Sequence, residues 1–254
     1  MIVADTHLHI YDCYDLAAAL HGCVSRLAAL APDAVCAGVM VERHGQHVYR
    51  SMLDGSLQLH DGPVIRAIGH NDCLRVQFPV LPPLYIFPGR QIVTRERLEI
   101  LCLGVDAEIA DGLPADEVVL RIRELDGVPV LAWAVGKWLF KRAPAVRRLL
   151  ELFRPHELLL GDSAMRPIFW PEPTPMRLAG KQKRAIVAGT DPLPVASEIE
   201  VMGSYASLID ANLDESNPAE SMRQALIHNA AGIQTAGHRC GPLLFLRRML
   251  NSRT

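Results

Sequence analysis

The chain has 254 residues, half of them apolar and 21% charged, with a formal net charge of -2, enough for one large domain with a substantial core. The near-zero charge, with no basic run and no aromatic-basic repeat, argues against nucleic acid and against an anionic membrane surface. No run of about 18 apolar residues suggests a membrane span, the opening MIVADTHLHI lacks the regions of a signal peptide, and six scattered cysteines with no Cys-x-x-Cys pair read as reduced thiols of a cytoplasmic protein.

In chain order, residues 2–10 read as a strand and Leu16–Leu30 as a helix with Leu and Ala at helical spacing. Residues 34–41 form a second strand. Residues 44–83 are less regular, and short alternating pieces at 63–68 and 73–78 predict a hairpin or insertion. Residues 85–93 and 98–105 read as strands that pair, and 115–125 as a helix with Val118, Val119, Ile122 and Leu125 on one face. A buried strand at 128–134 precedes a helix at 143–153 with basic residues outward. Residues 158–161 are strand-like, 166–175 are a Pro- and aromatic-rich loop, and 184–189 are the last clear strand. Asn217 and Pro218 open a helix over 218–231. The apolar tail 243–250 either caps the fold or dimerises, and completes a C-terminal helical segment over 218–250. Strands alternating with helices imply a largely parallel sheet. About seven such units close more economically as a barrel than as an open doubly wound sheet. The expectation is a single α/β domain over 1–254, a distorted (β/α)7–8 TIM-like barrel with an insertion at 44–83.

Chemically useful side chains recur just after the apolar runs. Asp5, His7 and His9 follow residues 2–4, Glu42 follows 34–41, and Trp133, Lys137 and Trp138 follow 128–131. Asp162 follows 158–160, and Asp191 follows 185–188. Barrel enzymes take their catalytic groups from the carboxyl ends of strands, so these would meet at one mouth. In His7-Leu8-His9 the alternating residues of a strand aim two imidazoles the same way, and a divalent cation takes such nitrogens with a carboxylate from another strand. The competing reading is a pair of satisfied interior histidines. Asp5 either orients one of them or accepts hydrogen bonds in the core. Asp191 serves as ligand, as general base, or as an Asx-turn before Pro192. Trp133, Trp138, Trp170 and Lys137 suit a ring or a phosphate, or the indoles simply fill space. Arg166 grips an anion or pairs with Asp162. His70-Asn71-Asp72 reads as a turn, and His60 and the other histidines carry no role.

At these residues the chain resembles the PHP (polymerase and histidinol phosphatase) family and, more distantly, the amidohydrolase barrels. Asp5-Thr6-His7-Leu8-His9 matches the family's first motif. Gly89–Thr94 with Leu98–Gly104 is similar to its middle strand pair, Gly127–Ala132 to the approach to its Ala-His-Pro motif, and Ala188-Gly189-Thr190-Asp191 to its closing motif. The resemblance covers residues 1–195 in order and implies a distorted barrel, a cluster of up to three metal ions and phosphoester hydrolysis. Departures accompany it. The family's Thr-Asp-His falls near Val41-Glu42-Arg43, its middle Glu on Gln91, its next His on Glu99, its Ala-His-Pro histidine on Trp133 and its last His on Leu193.

What the resemblance leaves is His7, His9 and Asp191, with Glu99 and Glu42 as further oxygen ligands, a set for one zinc, manganese or iron ion in a weakened site. The expected activity is hydrolysis of a small phosphoester or amide through a metal-activated water. Asp191, Lys137 and Arg166 would be catalytic, and Trp133, Trp138, Gln91, Asp162 and Trp170 would contact a small-molecule substrate. Two alternatives stay open: a barrel that has lost catalysis and serves as a binding or regulatory module, and a metal-free sugar or nucleotide hydrolase using Asp162, Glu99 and Asp191.

Overall fold

The computed structural model describes residues 1–57, 59, 62–70, 72–229 and 232–251. His60, Asn71 and Ala231, the last of these the expected end of a helix, lie outside the described residues.

The chain opens with β1 (Ile2–Leu8), α1 (Leu16–Leu30) and β2 (Val35–Glu42). Asp15 starts α1 by accepting the Ala18 amide at 3.0 Å, and the helix buries Ala19, Leu20, Cys23, Val24 and Leu27 against the sheet. A cap of this kind is worth about 1 kcal/mol. The irregular stretch contains the short α2 (Val48–Leu53) and the predicted hairpin, β3 (Val64–Ile68) with β4 (Cys73–Gln77). Then come β5 (Leu84–Val93), β6 (Glu99–Leu103), α3 (Ala115–Glu124), β7 (Val128–Ala132), α4 (Ala143–Leu152) and β8 (Leu159–Ser163). The chain continues with α5 (Thr174–Gln182), β9 (Ile186–Gly189), β10 (Tyr205–Ile209), α6 (Pro218–His228), β11 (Ile233–Gly237) and α7 (Pro242–Asn251). Among the described residues no helix is long and apolar enough to cross a membrane.

The strands form one mixed sheet in the order β11-β10-β1-β2-β5-β6-β7-β8-β9, with the β3–β4 hairpin on the free half-edge of β5. β1–β2, β2–β5, β7–β8 and β8–β9 are parallel, while β5–β6, β6–β7, β1–β10 and β10–β11 are antiparallel. The expected mainly parallel sheet is thus corrected. The link from β5 to β6 is too short to carry a crossover, which forces that pair to run antiparallel. β9 returns to β1 and nearly closes the sheet into a barrel. Thr6 Oγ1 donates to Ala188 O at 3.0 Å, and the Ala188 amide donates to Ser207 Oγ at 2.7 Å.

Strand parity sorts the core. Ala37, Val39 and Val41 of β2, Tyr85 and Phe87 of β5, and Val128, Val130 and Ala132 of β7 fill the barrel interior. Their alternates face the helices, as Cys36, Met40 and Ile86 do on one side and Leu131 and Leu160 on the other. This two-residue period decides which predicted residues can meet at the mouth.

Candidate metal centre

β1 breaks its own parity. Ile2 and Ala4 point into the barrel and Val3 points out, yet Leu8 and Ile10 also point out. The switch coincides with a shift in the β1–β2 register between Asp5 and Leu8. Such a bulge re-aims the residues beyond it, and here it turns His7 and His9 together toward the mouth. Asp5 holds the bulge. Its carboxylate accepts from the amides of Thr190 at 2.9 Å, Gly203 at 3.0 Å and His7 at 3.2 Å, and from Thr190 Oγ1 at 2.5 Å. Burial raises the Asp5 pKa, and those four bonds oppose the rise. Of its two expected roles, Asp5 takes that of buried acceptor. Gly189 lets β9 approach: a Cβ there would stand 2.4 Å from the His7 nitrogen.

Four donor atoms converge beyond this seam. His7 Nε2 and His9 Nε2 are 3.2 Å apart, each is 3.0 Å from Gln91 Oε1, and Asp191 Oδ1 is 3.5 and 3.7 Å from the two nitrogens. The imidazoles are buried, but the Asp191 side chain keeps 17% of its surface, so the cluster opens to solvent. Burial first, and His7 second, push the His9 pKa down to about 3, leaving a neutral ring with a free lone pair. Burial opposes ionisation of Asp191, but His7 and His9, with Arg248 and Arg43, outweigh it and hold the carboxyl below its usual range.

The donor set fits a divalent cation. Atoms bonded at about 2.0–2.2 Å to one ion lie about 3.0–3.5 Å from each other, close to the spacing of His7, His9, Gln91 and Asp191. Hydrogen bonding alone accounts for it poorly, since the two ring nitrogens and the amide oxygen all face one another at bonding distance. His9 Nδ1 is buried with no partner among the described residues. The ring is instead positioned by the edge of His7 and by Tyr11, whose ring centroid is 5.7 Å away.

The other predicted residues lie elsewhere, mostly for reasons of parity. Glu42 sits one residue past inward-facing Val41 and points outward, where it accepts the Tyr49 amide at 3.0 Å and lies 3.7 Å from Arg90. Glu99 pairs with Lys137 at 3.0 Å. Neither acid belongs to the converging group: Glu99 is paired with Lys137, and Glu42 shares Arg90 with Asp106. Asp162 also faces outward. Arg166 grips it with two bonds of 2.7 and 2.5 Å, and the Tyr205 hydroxyl donates a third at 2.8 Å. Asp162, expected as a substrate contact, is thus engaged by Arg166, the pairing that the sequence offered as one of two readings, and Lys137, expected to be catalytic, is paired with Glu99. Trp133, one residue past inward-facing Ala132, packs in the outer core. With Trp138 and Trp170 it lines a cavity of about 710 Å³ between α4 and α5, and Trp138 Nε1 donates to Ala132 O at 3.0 Å. The indoles therefore belong to the helix layer, away from His7 and His9. Gln91, expected to touch substrate, stands among the converging donor atoms.

Two supports escaped sequence reasoning. Ser163 Oγ lies 3.5 Å from Asp191 Oδ2. Arg248 of α7, fully buried, donates to the carbonyl oxygens of Asp191 at 2.7 Å and Thr190 at 3.4 Å, and pairs with Glu198 at 2.8 Å. Ser163 shares the inward parity of Leu159 in β8 and was findable on that ground. Nothing in the tail pattern signals Arg248.

No family model matches the sequence, and no curated protein does. Among solved structures the chain is similar to PsfC from Pseudomonas syringae PB-5123, with 12% identity over 99% of this chain and 96% of that one and a TM-score of 0.59. It is also similar to a two-domain protein from Bacteroides vulgatus ATCC 8482 containing a predicted PHP-like metal-dependent phosphoesterase, with 9% identity, 98% and 69% of the two chains and a TM-score of 0.51. The fold is PHP-like. A third similar structure is Endonuclease Q in complex with a 27-mer duplex substrate carrying an abasic lesion at the active site, with 11% identity, 89% of this chain but 56% of that one and a TM-score of 0.50. It overturns the exclusion of nucleic acid drawn from net charge. A protein on this fold takes duplex DNA, and whole-chain charge averages away the local field at a mouth.

Proposed function

We propose that this PHP-like barrel is a metal-dependent hydrolase of phosphoesters, with the cation held by His7, His9, Asp191 and Gln91. The observation that carries the reading is the convergence of those four donor atoms at 3.0–3.7 Å, with the Asp191 side chain reaching solvent. A barrel serving only as a binding module has no need to keep two desolvated imidazoles beside an ionised carboxylate.

A divalent cation bound there supplies Lewis acidity, lowering the pKa of water and drawing charge from a phosphoryl oxygen. The protein's residues do the rest. His7 and His9 present their ring nitrogens, His9 as a neutral imidazole, and the Asp5-held bulge fixes their direction. Asp191 keeps Oδ1 toward the imidazoles while Oδ2 turns to Ser163, leaving a carboxylate placed to take a proton from the attacking water. The bonds from Arg248 hold the backbone of that carboxylate in place. All six cysteines are free, which supports a reducing, cytoplasmic setting.

Metal analysis of protein purified without chelator tests this reading. Wild type should hold about one divalent ion per chain and the His7→Ala/His9→Ala variant almost none. Equal, negligible content in both defeats the proposal. Metal-loaded protein is then assayed on phosphomonoesters, phosphodiesters, amides and duplex DNA with an abasic site, the last because Endonuclease Q shares the fold.

A further inference from the structure

Arg43 is an unneutralised cation beside this cluster. It follows β2 with the same parity as Val39 and Val41, which face the barrel interior. Its guanidinium carbon lies 5.8 Å from the centroid of the Tyr11 ring, and that ring is the neighbour of His9. Its charge lowers the pKa of His9, Tyr11 and Asp191 together. Arg50, Arg90, Arg166 and Arg248 each have a carboxylate partner, whereas Arg43 has none among the described residues. The Tyr11 hydroxyl supplies the second observation. It is buried with no hydrogen-bond partner among the described residues, on a side chain only 9% exposed. An orphaned buried hydroxyl is costly unless a ligand accepts from it.

We propose that Arg43 and Tyr11 form an anion subsite at the rim of the His7, His9 and Asp191 cluster, and that it takes the phosphoryl group of the substrate. This deepens the hydrolase reading and rests on it for the identity of the substrate. Stacked on an aromatic face, a guanidinium keeps its in-plane N–H groups free, and that fork matches two oxygens of a phosphate. The Tyr11 hydroxyl donates to a third. Lys137 and Arg166, each already paired with a carboxylate, cannot offer the same free charge.

Calorimetric titration with inorganic phosphate tests the subsite on metal-loaded wild type, Arg43→Ala, Arg43→Lys and Tyr11→Phe, with metal content measured on each sample. Arg43 is exposed, so its removal should leave the fold intact. Arg43→Ala should weaken phosphate binding by about tenfold or more and flatten its salt dependence, with metal content unchanged. Arg43→Lys should fall between, keeping the charge without the fork. Tyr11→Phe should weaken binding by a few-fold, since it keeps the ring and loses the donor. Equal dissociation constants for wild type and Arg43→Ala, or no phosphate binding to wild type at all, overturn the subsite. If the protein holds metal yet phosphate ignores Arg43, the hydrolase reading survives alone. If it holds no metal and phosphate still depends on Arg43, the subsite survives alone.

Discussion

The amide of Asp191 donates to the carbonyl oxygen of His7 at 2.9 Å. Two members of the donor cluster from distant parts of the chain are thereby fixed by one backbone bond, and Asp191 adopts a left-handed φ of 48° to make it. Gly189, two residues before, is what lets the strands come this close. Gly189→Ala should push the His7 backbone away, costing about 1–3 kcal/mol of stability by overpacking and loosening metal binding as well. Thermal melting with and without added metal reads both effects; a variant that melts and binds like wild type contradicts the close approach.

Gln91 is the neutral member of the donor set. Gln91→Glu should raise affinity for a divalent cation by about tenfold or more, because an anion replaces an amide oxygen at the same place. Gln91→Ala should lower it. Competition titration against a metal-sensitive dye measures the order. If Gln91→Glu binds no more tightly than wild type, residue 91 does not face the ion.

Stability of the metal-free protein should fall in acid. The His9 pKa is pushed down to about 3 in the folded chain, below its ordinary value of 6.5, so between those values the unfolded chain binds a proton that the folded chain refuses. More protons on the unfolded state means stability rises with pH across that window. Asp191, with its pKa lowered, adds a loss in the same direction at pH values below 3.8. Denaturant melts from pH 7 to pH 4 should show the slope, and His9→Gln should flatten it. An unchanged slope in that variant assigns the acid sensitivity elsewhere.

Arg166 and Asp162 are structural partners. Arg166→Ala strands a buried carboxylate and should cost about 3–5 kcal/mol of stability, while metal content per folded chain stays at the wild-type level. Loss of metal in a variant that remains folded would return the pair to the active centre.

The sequence placed much of this within reach. The first histidines, the closing Asp191, the hairpin at 63–78 and most barrel strands follow from apolar runs and the residues just past them. What failed was the assumption that anything after a strand reaches the mouth. Counting by twos from the strand interiors separates Gln91 and Ser163, which face inward, from Glu42, Trp133 and Asp162, which do not. β1 is the exception, because its bulge lies in backbone geometry that no residue pattern marks. Other elements were hidden by composition. α5 starts within a Pro-rich stretch where Pro175 occupies the first turn, a position that suits proline. β11 reads as polar because its middle residues are exposed.

Among the described residues no ladder joins β9 to β1; this line of the barrel's wall is crossed by the Asp191–His7 main-chain bond and by bonds from the side chains of Asp5 and Thr6. The proposed ion would sit astride that line, holding His7 and His9 on one bank and Asp191 on the other. Capturing it would act as a stitch, closing a very long loop in the chain and stiffening this open seam of the cylinder. Rigidity of the wall and readiness for chemistry would then rise and fall together with metal supply.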